Sequence, residues 1–423
     1  MRKRLLSVFM VLALIIAMAP AAFAAEVETF DTWDGVSSTT PEQIGGVYQI
    51  DSAADLVGFA ALVNAGNYGA NAALLTGIDL GGQTFIPIGA YAYKNETAVE
   101  GGAYYSGTFN GNNHTIKNGS IASASNIYNM GIFGFVNGGH INSLNAVNIT
   151  VNSSATEHEC STGTIIGILY HGSASYLTAG EGCSVSGNYR VGGVIGSVRD
   201  ECTVSYCHNY ADVDGGNNYT GGIVGAAHDM DYEGLTFTGA PATISYCDNH
   251  GEVSGTNEVG GIVGYTDQTT VDNCNNYGSV TATGNYGSGG IVGFDAYNPR
   301  YFLGFIPVYI PDTGATISNC SNSASVNGPR SGGILGTLGV TPGEDQPDSS
   351  KTLTKITNCT NSGNITGTDG KCGSIYGYPI TYAHGDGPEY IGNLKVLISG
   401  CTTGGTVNGA TPTIPTPGPY VTQ

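Results

Sequence analysis

A short phrase that recurs along the chain constrains its fold more than any other feature. It consists of two glycines, two branched apolar residues and a third glycine, at residues 221–225, 260–264, 289–293 and 332–336, with a close relative at 192–196. A second phrase, Cys-x-Asn, falls between successive copies, at 207–209, 247–249, 274–276, 320–322 and 359–361. One such unit cannot bury its own apolar side, so repetition at this period predicts a solenoid of stacked units.

Each unit contains three short apolar runs, for example 270–274, 278–282 and 289–293. The first two alternate apolar and polar residues, which predicts strands with one buried face. Asn276-Tyr277-Gly278 predicts a tight turn with positive φ between them. We therefore expect an all-β fold, a single-stranded parallel β-helix with three short strands per coil. Cys and Asn should then stack on their counterparts in neighbouring coils, at about 4.8 Å.

The spacing of the two phrases locates the variable part of each coil. From Cys-x-Asn to the next Gly-Gly pair the chain advances 14, 13, 15 and 12 residues, and 13 where Cys372-Gly373 replaces the pair. From that pair to the following Cys it advances 15, 26, 14, 31, 27 and 29 residues. Insertions are thus confined to one edge of the predicted solenoid, and in solenoids such an edge is often the binding face.

The N-terminus has the composition of an export signal. A basic start at residues 2–4 precedes an apolar core at 5–18 and a small-x-small site at 22–24. We expect cleavage after Ala24 and a protein that is secreted or displayed on the cell surface, with no membrane insertion after cleavage. The predicted organisation is a signal peptide at 1–24, a disordered or extended lead at 25–45, the β-helix at 46–409, and a Pro/Thr-rich tail or linker at 410–423.

The net charge of −20 limits the partners. Nucleic acid is not expected, because phosphate binding requires a basic surface. The acidic charge is compatible with Ca²⁺, although we predict no cofactor and no metal site.

The ten cysteines leave two states open. Six belong to the repeated phrase, and the spacing of stacked strands would allow disulfides between adjacent coils as well as stacked free thiols. The chain lacks Cys-x-x-Cys, and its His residues are scattered, so a zinc site is not expected.

A helix is predicted near the start of the solenoid. Ser52 is placed to cap its N-terminus, with Asp55 reaching back. Leu56, Phe59, Ala60 and Val63 form an apolar stripe, and Gly66 is a plausible stop. A solenoid needs a cap over its exposed end, which is the role expected for this helix.

Several phrases, in order, resemble bacterial extracellular proteins that carry GLUG motifs. They are Ile-x-Ser-Ala-x-x-Leu at 50–56, Leu-Thr-Gly-Ile-Asp-Leu at 75–80, Pro-Ile-Gly at 87–89 and Phe-x-Gly-Asn-x-His-x-Ile at 109–116. The resemblance covers roughly 47–409 and implies a right-handed parallel β-helix on a secreted, adhesin-like protein. Some carriers are described as immunoglobulin A peptidases, whose chemistry would need a motif such as His-Glu-x-x-His. This chain has only His158-Glu159-Cys160, so we do not transfer that activity, and the resemblance supplies no catalytic residue.

Two insertions are candidate sites. The first contains Asp229 and Asp231, and Arg199-Asp200-Glu201 occupies the same edge one coil earlier. Clustered carboxylates could bind a cation, or serve a polysaccharide-degrading enzyme with a pectate-lyase-like fold. The interpretation that the sequence favours is a solvated loop with ordinary acidic side chains.

The second insertion is the least polar, and we predict binding through a set of side chains: Tyr297, Arg300, Tyr301, Phe302, Phe305 and Tyr309. Exposed aromatic rings stack on sugars or anchor proteins, unless the segment folds back over the helix flank. The sequence thus predicts a non-enzymatic β-solenoid that binds extracellular glycans or proteins through loops on one edge. A polysaccharide lyase or glycoside hydrolase is the alternative, and the oligomeric state stays open.

Overall fold

The computed structural model describes most of the chain. The described residues are 28–90, 93–94, 97–98, 102–122, 129–156, 160–228, 241–297, 300–303, 306–309, 314–340, 354–378, 380–381, 396–412 and 421–422. Three predicted site residues lie outside the described residues: Asp229, Asp231 and Phe305. The predicted signal peptide lies outside them as well.

Short β-strands account for nearly all regular structure in these residues. The first part contains β1 (Phe30–Thr32), β2 (Glu42–Ile44), β3 (Val47–Ile50), α1 (Ala53–Asn64), β4 (Asn71–Leu74), β5 (Gly77–Asp79), β6 (Tyr93–Lys94), β7 (Thr97–Ala98), β8 (Thr108–Asn110), β9 (Thr115–Ala122), β10 (Asn129–Met130), β11 (Phe133–Asn137), β12 (His140–Asn152), β13 (Ser161–Gly163), β14 (Ile166–Tyr170) and β15 (Ser173–Ala179). The middle contains β16 (Ser184–Gly192), β17 (Ile195–Arg199), β18 (Thr203–Ser205), β19 (His208–Asn209), β20 (Asp212–Gly221), β21 (Val224–His228), β22 (Thr243–Ser245), β23 (Asp248–Asn249), β24 (Val253–Gly260), β25 (Val263–Asp267), β26 (Thr270–Asp272), β27 (Asn275–Asn276), β28 (Val280–Ala282), β29 (Ser288–Gly289) and β30 (Val292–Tyr297). The last part contains β31 (Arg300–Leu303), β32 (Ile306–Tyr309), β33 (Thr316–Ser318), β34 (Ser321–Asn322), β35 (Val326–Gly328), β36 (Ser331–Gly332), β37 (Leu335–Val340), β38 (Thr354–Thr357), β39 (Thr360–Asn361), β40 (Ile365–Gly367), β41 (Ile380–Thr381), β42 (Val396–Ser399), β43 (Thr402–Thr403) and β44 (Val421–Thr422).

The strands stack in parallel from one repeat to the next, as the sequence predicts. Eight of them form a small sheet in the order β11-β14-β17-β21-β25-β30-β37-β41, and each adjacent pair is parallel. Thirty-two others belong to a larger sheet, in which β18, β22, β26, β33, β38 and β42 follow one another in register. The described chain is therefore a mostly-β stack of parallel strands, consistent with a solenoid. We call each segment that adds one strand to the small sheet a coil.

Each coil is divided more finely than into three strands. In the coil of Cys274 the segments β26, β27, β28 and β29 belong to the larger sheet, and β30 belongs to the small sheet. The strand predicted over 289–293 is therefore wrong, because the Gly-Gly phrase contains the corner between β29 and β30. Its Ile291 and Val292 are fully buried.

The turn chemistry also differs from the prediction. The positive φ lies at Asn273, which has φ 52° and precedes the Cys, rather than within 276–278. Equivalent corners occur at Tyr206, Tyr246, Asn319 and Asn358, with φ between 53° and 54°. Gly278 is needed for space instead, since a Cβ atom there would lie 1.8 Å from the carbonyl oxygen of Gly251.

The Asn ladder is confirmed and explains why the two phrases recur together. In a fully buried row, Nδ2 of Asn209, Asn249, Asn276 and Asn322 donates to Oδ1 of the next Asn at 2.8 Å, ending at Asn361. The second glycine of each phrase faces this row. A Cβ atom on Gly261, for example, would lie 2.4 Å from Cγ of Asn276. The Gly-Gly phrase and the Cys-x-Asn phrase therefore pack against each other. A Cβ atom on the second glycine would displace the side-chain amide of the Asn.

The predicted helix is confirmed as α1. Ser52 caps it by accepting a hydrogen bond from the Asp55 amide at 3.2 Å, and Gly66 follows its end with φ 114°. The predicted stripe is buried, and Phe59 packs against the rings of Tyr105 and Phe109. The preceding segment adds β1, which pairs with β5, and the antiparallel pair β2–β3. Helix and lead thus pack on the first coils.

Candidate functional surface

The predicted aromatic insertion contains an antiparallel strand pair. β31 and β32 run side by side, with Arg300 opposite Tyr309, Tyr301 opposite Val308 and Phe302 opposite Pro307. Tyr297 is the last residue of β30. The binding role of these residues stays a prediction.

The predicted acidic neighbourhood is described only in part. Arg199 of β17 pairs with His228 of β21, and the Asp200 amide donates to the carbonyl oxygen of His228 at 3.4 Å, so the two segments do start side by side. Asp200 is 4% exposed, and its Oδ2 lies 3.8 Å from Nε2 of His171. Asp229 and Asp231 lie outside the described residues, so their proximity to Asp200 stays a prediction.

A buried histidine begins the first acidic insertion. His228 is 5% exposed, and its Nε2 lies 3.4 Å from Oγ of Ser197. Burial, and then the positive charges of Arg199 and Arg190, lower the pKa of His228 well below its usual value. The ring is therefore neutral in the folded chain. Among the described residues, no group of three or more His, Cys, Asp or Glu side chains could hold a metal ion.

An exposed row of tyrosines was missed by the sequence reasoning. Tyr176, Tyr206 and Tyr246 occupy the same place in three successive coils, with ring centroids 4.9 Å apart in both pairs and interplanar angles of 3° and 7°. Their side chains are 54%, 40% and 46% exposed. We call these three residues the first stack. Each such aromatic pair contributes about 0.5–1.5 kcal/mol beyond the area it buries.

A second stack runs beside the first one. Tyr210, His250 and Tyr277 have ring centroids 4.6 and 4.7 Å apart and interplanar angles of 3° and 14°. All three are exposed. Residues 206–210 alternate exposed, buried, half-buried, buried and exposed, and residues 246–250 repeat that pattern. Both stacks therefore lie on the outside of the coils and flank the buried Cys and Asn of the same segment.

A polar row separates the two stacks. Nδ1 of His208 lies 3.3 Å from Oδ2 of Asp248, Asn275 donates to Asp248 at 2.8 Å, and Ser321 donates to Asn275 at 2.6 Å. The surface thus has an aromatic row, a hydrogen-bonding row and a second aromatic row, each running from coil to coil. We call the six stacked rings together with this row the aromatic strip.

The strip had a sequence signal. Ser-Tyr-Cys-x-Asn followed by Tyr or His occurs at both 205–210 and 245–250. Residues on either side of Cys-x-Asn come to lie on counterparts in the next coil once the register is fixed. Each of these rings is isolated in the sequence, whereas the insertion at 297–309 contains several aromatic residues close together.

Comparison with known proteins adds little. No family model matches the chain, and no curated protein matches it. A solved structure from Bacteroides ovatus, named "putative immunoglobulin A1 protease", is similar to this chain with a TM-score of 0.41 and 16% identity, over 85% of this chain and 83% of that chain. A likeness this distant carries no activity over to this chain. No helix in the described ranges is long and apolar enough to cross a bilayer.

Proposed function

We propose that this chain is a secreted or cell-surface protein of the GLUG-motif type, whose stacked strands close into a right-handed parallel β-helix. Its proposed work is to bind extracellular glycans or proteins without catalysing a reaction. The export-signal composition of residues 1–24 supports a place outside the cell. The net charge of −20 is compatible with solubility there.

The aromatic strip is the observation that carries the binding proposal. Its five tyrosines are each between 40% and 54% exposed, and contiguous exposed patches of large apolar side chains often mark interaction sites. Aromatic side chains that present an apolar ring and a hydroxyl group dominate many binding surfaces. We place binding on this strip, and the insertion that contains Arg300 and Tyr301 is a second candidate surface.

An array of glycans and extracellular proteins, probed with the chain from residue 25, tests the proposal. The strip variant carries Tyr206→Asn, Tyr246→Asn, Tyr210→Ser and Tyr277→Ser. These replacements are the residues that the chain itself places at the same positions in later coils, at Asn319 and Ser323. The fold should therefore tolerate them, including the positive φ at 206 and 246.

Binding by the parent chain and its loss in the strip variant are the expected results. A second variant, Tyr301→Ser with Tyr309→Ser, measures the contribution of the insertion. A parent chain that binds nothing on the array contradicts the proposal. Release of sugars from a polysaccharide panel would replace it with the enzyme alternative.

A further inference from the structure

We infer that the ligand of the aromatic strip is a linear, uncharged polysaccharide that lies along the direction in which the coils stack; this inference rests on the proposed function. The first argument is periodicity. Ring centroids recur every 4.6 to 4.9 Å along both stacks. Successive sugars of an extended β-linked chain recur at nearly this interval, so each coil can contact one sugar.

The orientation of the rings favours a polyhydroxylated ligand. Neighbouring rings are within 14° of parallel, so their faces cover one another, and the stacks present ring edges and phenol hydroxyl groups to solvent. The ring edges and hydroxyl groups of these tyrosines are better placed to form hydrogen bonds with a ligand than to bury an apolar side chain of a partner. The polar row of His208, Asp248 and Asn275 adds donors and acceptors between the stacks.

At the C-terminal ends of the stacks, two ring faces have no aromatic neighbour among the described residues. The residue after Tyr246 in its row is Asn273, which is hydrogen-bonded to Asp272 at 2.6 Å. The residue after Tyr277 in its row is the small Ser323. The step from ring to small side chain leaves a ledge in each row, and a sugar ring seated there stacks on the tyrosine face.

The backbone disfavours an extended peptide as the ligand. β18 pairs with both β15 and β22, and β22 pairs with both β18 and β26. Their amide and carbonyl groups are thus already used between coils. A peptide laid on this surface gains none of the main-chain hydrogen bonds that give strand-addition complexes their affinity.

Charge selects among polysaccharides. The chain carries 33 acidic side chains against 13 Lys and Arg, so an anionic polymer is repelled at long range. Within the strip the described charged groups are Asp248 and, when protonated, His208 and His250. A neutral chain meets no such repulsion.

Calorimetry tests this inference by measuring the affinity of the chain, beginning at residue 25, for soluble neutral oligosaccharides of two to eight sugars. The series is drawn from β-linked glucans, xylans and mannans, with oligogalacturonate as the anionic arm. Because the rings span four coils, affinity should rise with each added sugar up to about four or five and then level off. Anionic oligomers should bind at least ten-fold more weakly.

Three variants locate the ligand. Tyr206→Asn with Tyr246→Asn, and separately Tyr210→Ser with Tyr277→Ser, should each weaken binding at least ten-fold. Tyr378→Asn is the matched control, because Tyr378 is also exposed and lies beside Lys371 outside the strip, and it should leave affinity unchanged. Circular dichroism confirms that each variant keeps its strands.

The outcomes separate this inference from the proposed function. The inference is overturned if the ligand is a protein. It is also overturned if the chain binds a glycan with an affinity that depends neither on the number of sugars nor on the strip variants. Either result leaves the proposed extracellular binding in place. A chain that binds no glycan and no protein overturns both.

Discussion

The buried Asn ladder gives the most direct test of how the coils are held together. Asn276 is fully buried and makes three side-chain hydrogen bonds: Oδ1 accepts from Asn249 at 2.8 Å, and Nδ2 donates to the Gly278 carbonyl at 2.9 Å and to Oδ1 of Asn322 at 2.8 Å. The perturbation is Asn276→Ala, which removes all three bonds and leaves the backbone unchanged.

The expected loss follows from the groups that are left behind. The Gly278 carbonyl loses the donor supplied by Asn276, whereas Oδ1 of Asn322 loses that donor and keeps only the Ala324 amide at 3.4 Å. Nδ2 of Asn249 still donates to the Gly251 carbonyl at 3.0 Å, so its loss is smaller. A stranded buried polar group costs about 1–3 kcal/mol and a lost bond to a group that keeps another partner about 1 kcal/mol, so the free energy of unfolding should fall by about 4 kcal/mol.

Urea unfolding followed by circular dichroism measures this loss, and amide hydrogen exchange locates it. Stacked repeats need not unfold as a single unit, so exchange in β23, β27 and β34 is the more direct readout. Protection should fall first in these three strands, which carry the neighbours of Asn276.

The neighbouring residue provides the matched control. Asn275 also makes two side-chain hydrogen bonds, to Asp248 and Ser321, but it is half-buried on the outer side, where water can replace them. Asn275→Ala should therefore cost less than about 1 kcal/mol. Equal losses for the two variants would refute the claim that the buried ladder holds the coils together.

Three further measurements follow from the same structure. Gly261→Ala places a Cβ atom 2.2 Å from the carbonyl oxygen of Gly290 and should lower the urea midpoint sharply, whereas Gly404→Ala, whose Cβ would be 3.8 Å from Ser362, should not; similar midpoints would contradict the close-contact account. The pKa of His228 is well below its ordinary value of 6.5 in the folded chain. As the pH falls through 6.5, the unfolded chain therefore binds a proton that the folded chain does not, and the free energy of unfolding should decrease. His228→Gln should reduce the difference between urea midpoints at pH 7 and pH 5, and an unchanged difference would count against a buried neutral ring. Alkylation with mass spectrometry should label Cys372 first, since it is the one described cysteine that is not buried, and the six repeat cysteines only after unfolding; repeat thiols still blocked after unfolding would reveal disulfides.

The repeat allowed much of the fold to be predicted, because a pattern that recurs in sequence must recur in space when units stack. The parallel stacking, the Asn ladder and the capping helix at 53–64 all follow from such patterns. The division of each coil could not be predicted in the same way. Alternation of apolar residues gives strands, but it does not show that Asn273 adopts a positive φ or that the Gly-Gly phrase bends between two sheets.

The candidate site illustrates the same limit. Composition predicted a binding site in the insertion at 297–309, because many aromatic residues are close together there in the sequence. Tyr176, Tyr206 and Tyr246 are 30 and 40 residues apart, and the Ser-Tyr-Cys-x-Asn phrase around two of them does not show which rings are neighbours. Only the register between coils shows that they are neighbours.

The sequence by itself determined that this chain stacks repeated units, since its two phrases alternate at a period that one unit cannot bury alone. It also determined where the coil varies in length. Tertiary structure decided what each phrase does: the second glycine is required because an Asn amide lies 2.4 Å from where its Cβ would be. It also decided which rings share a surface. Contacts between coils join residues by register rather than by distance along the chain, and register is a property of the folded stack.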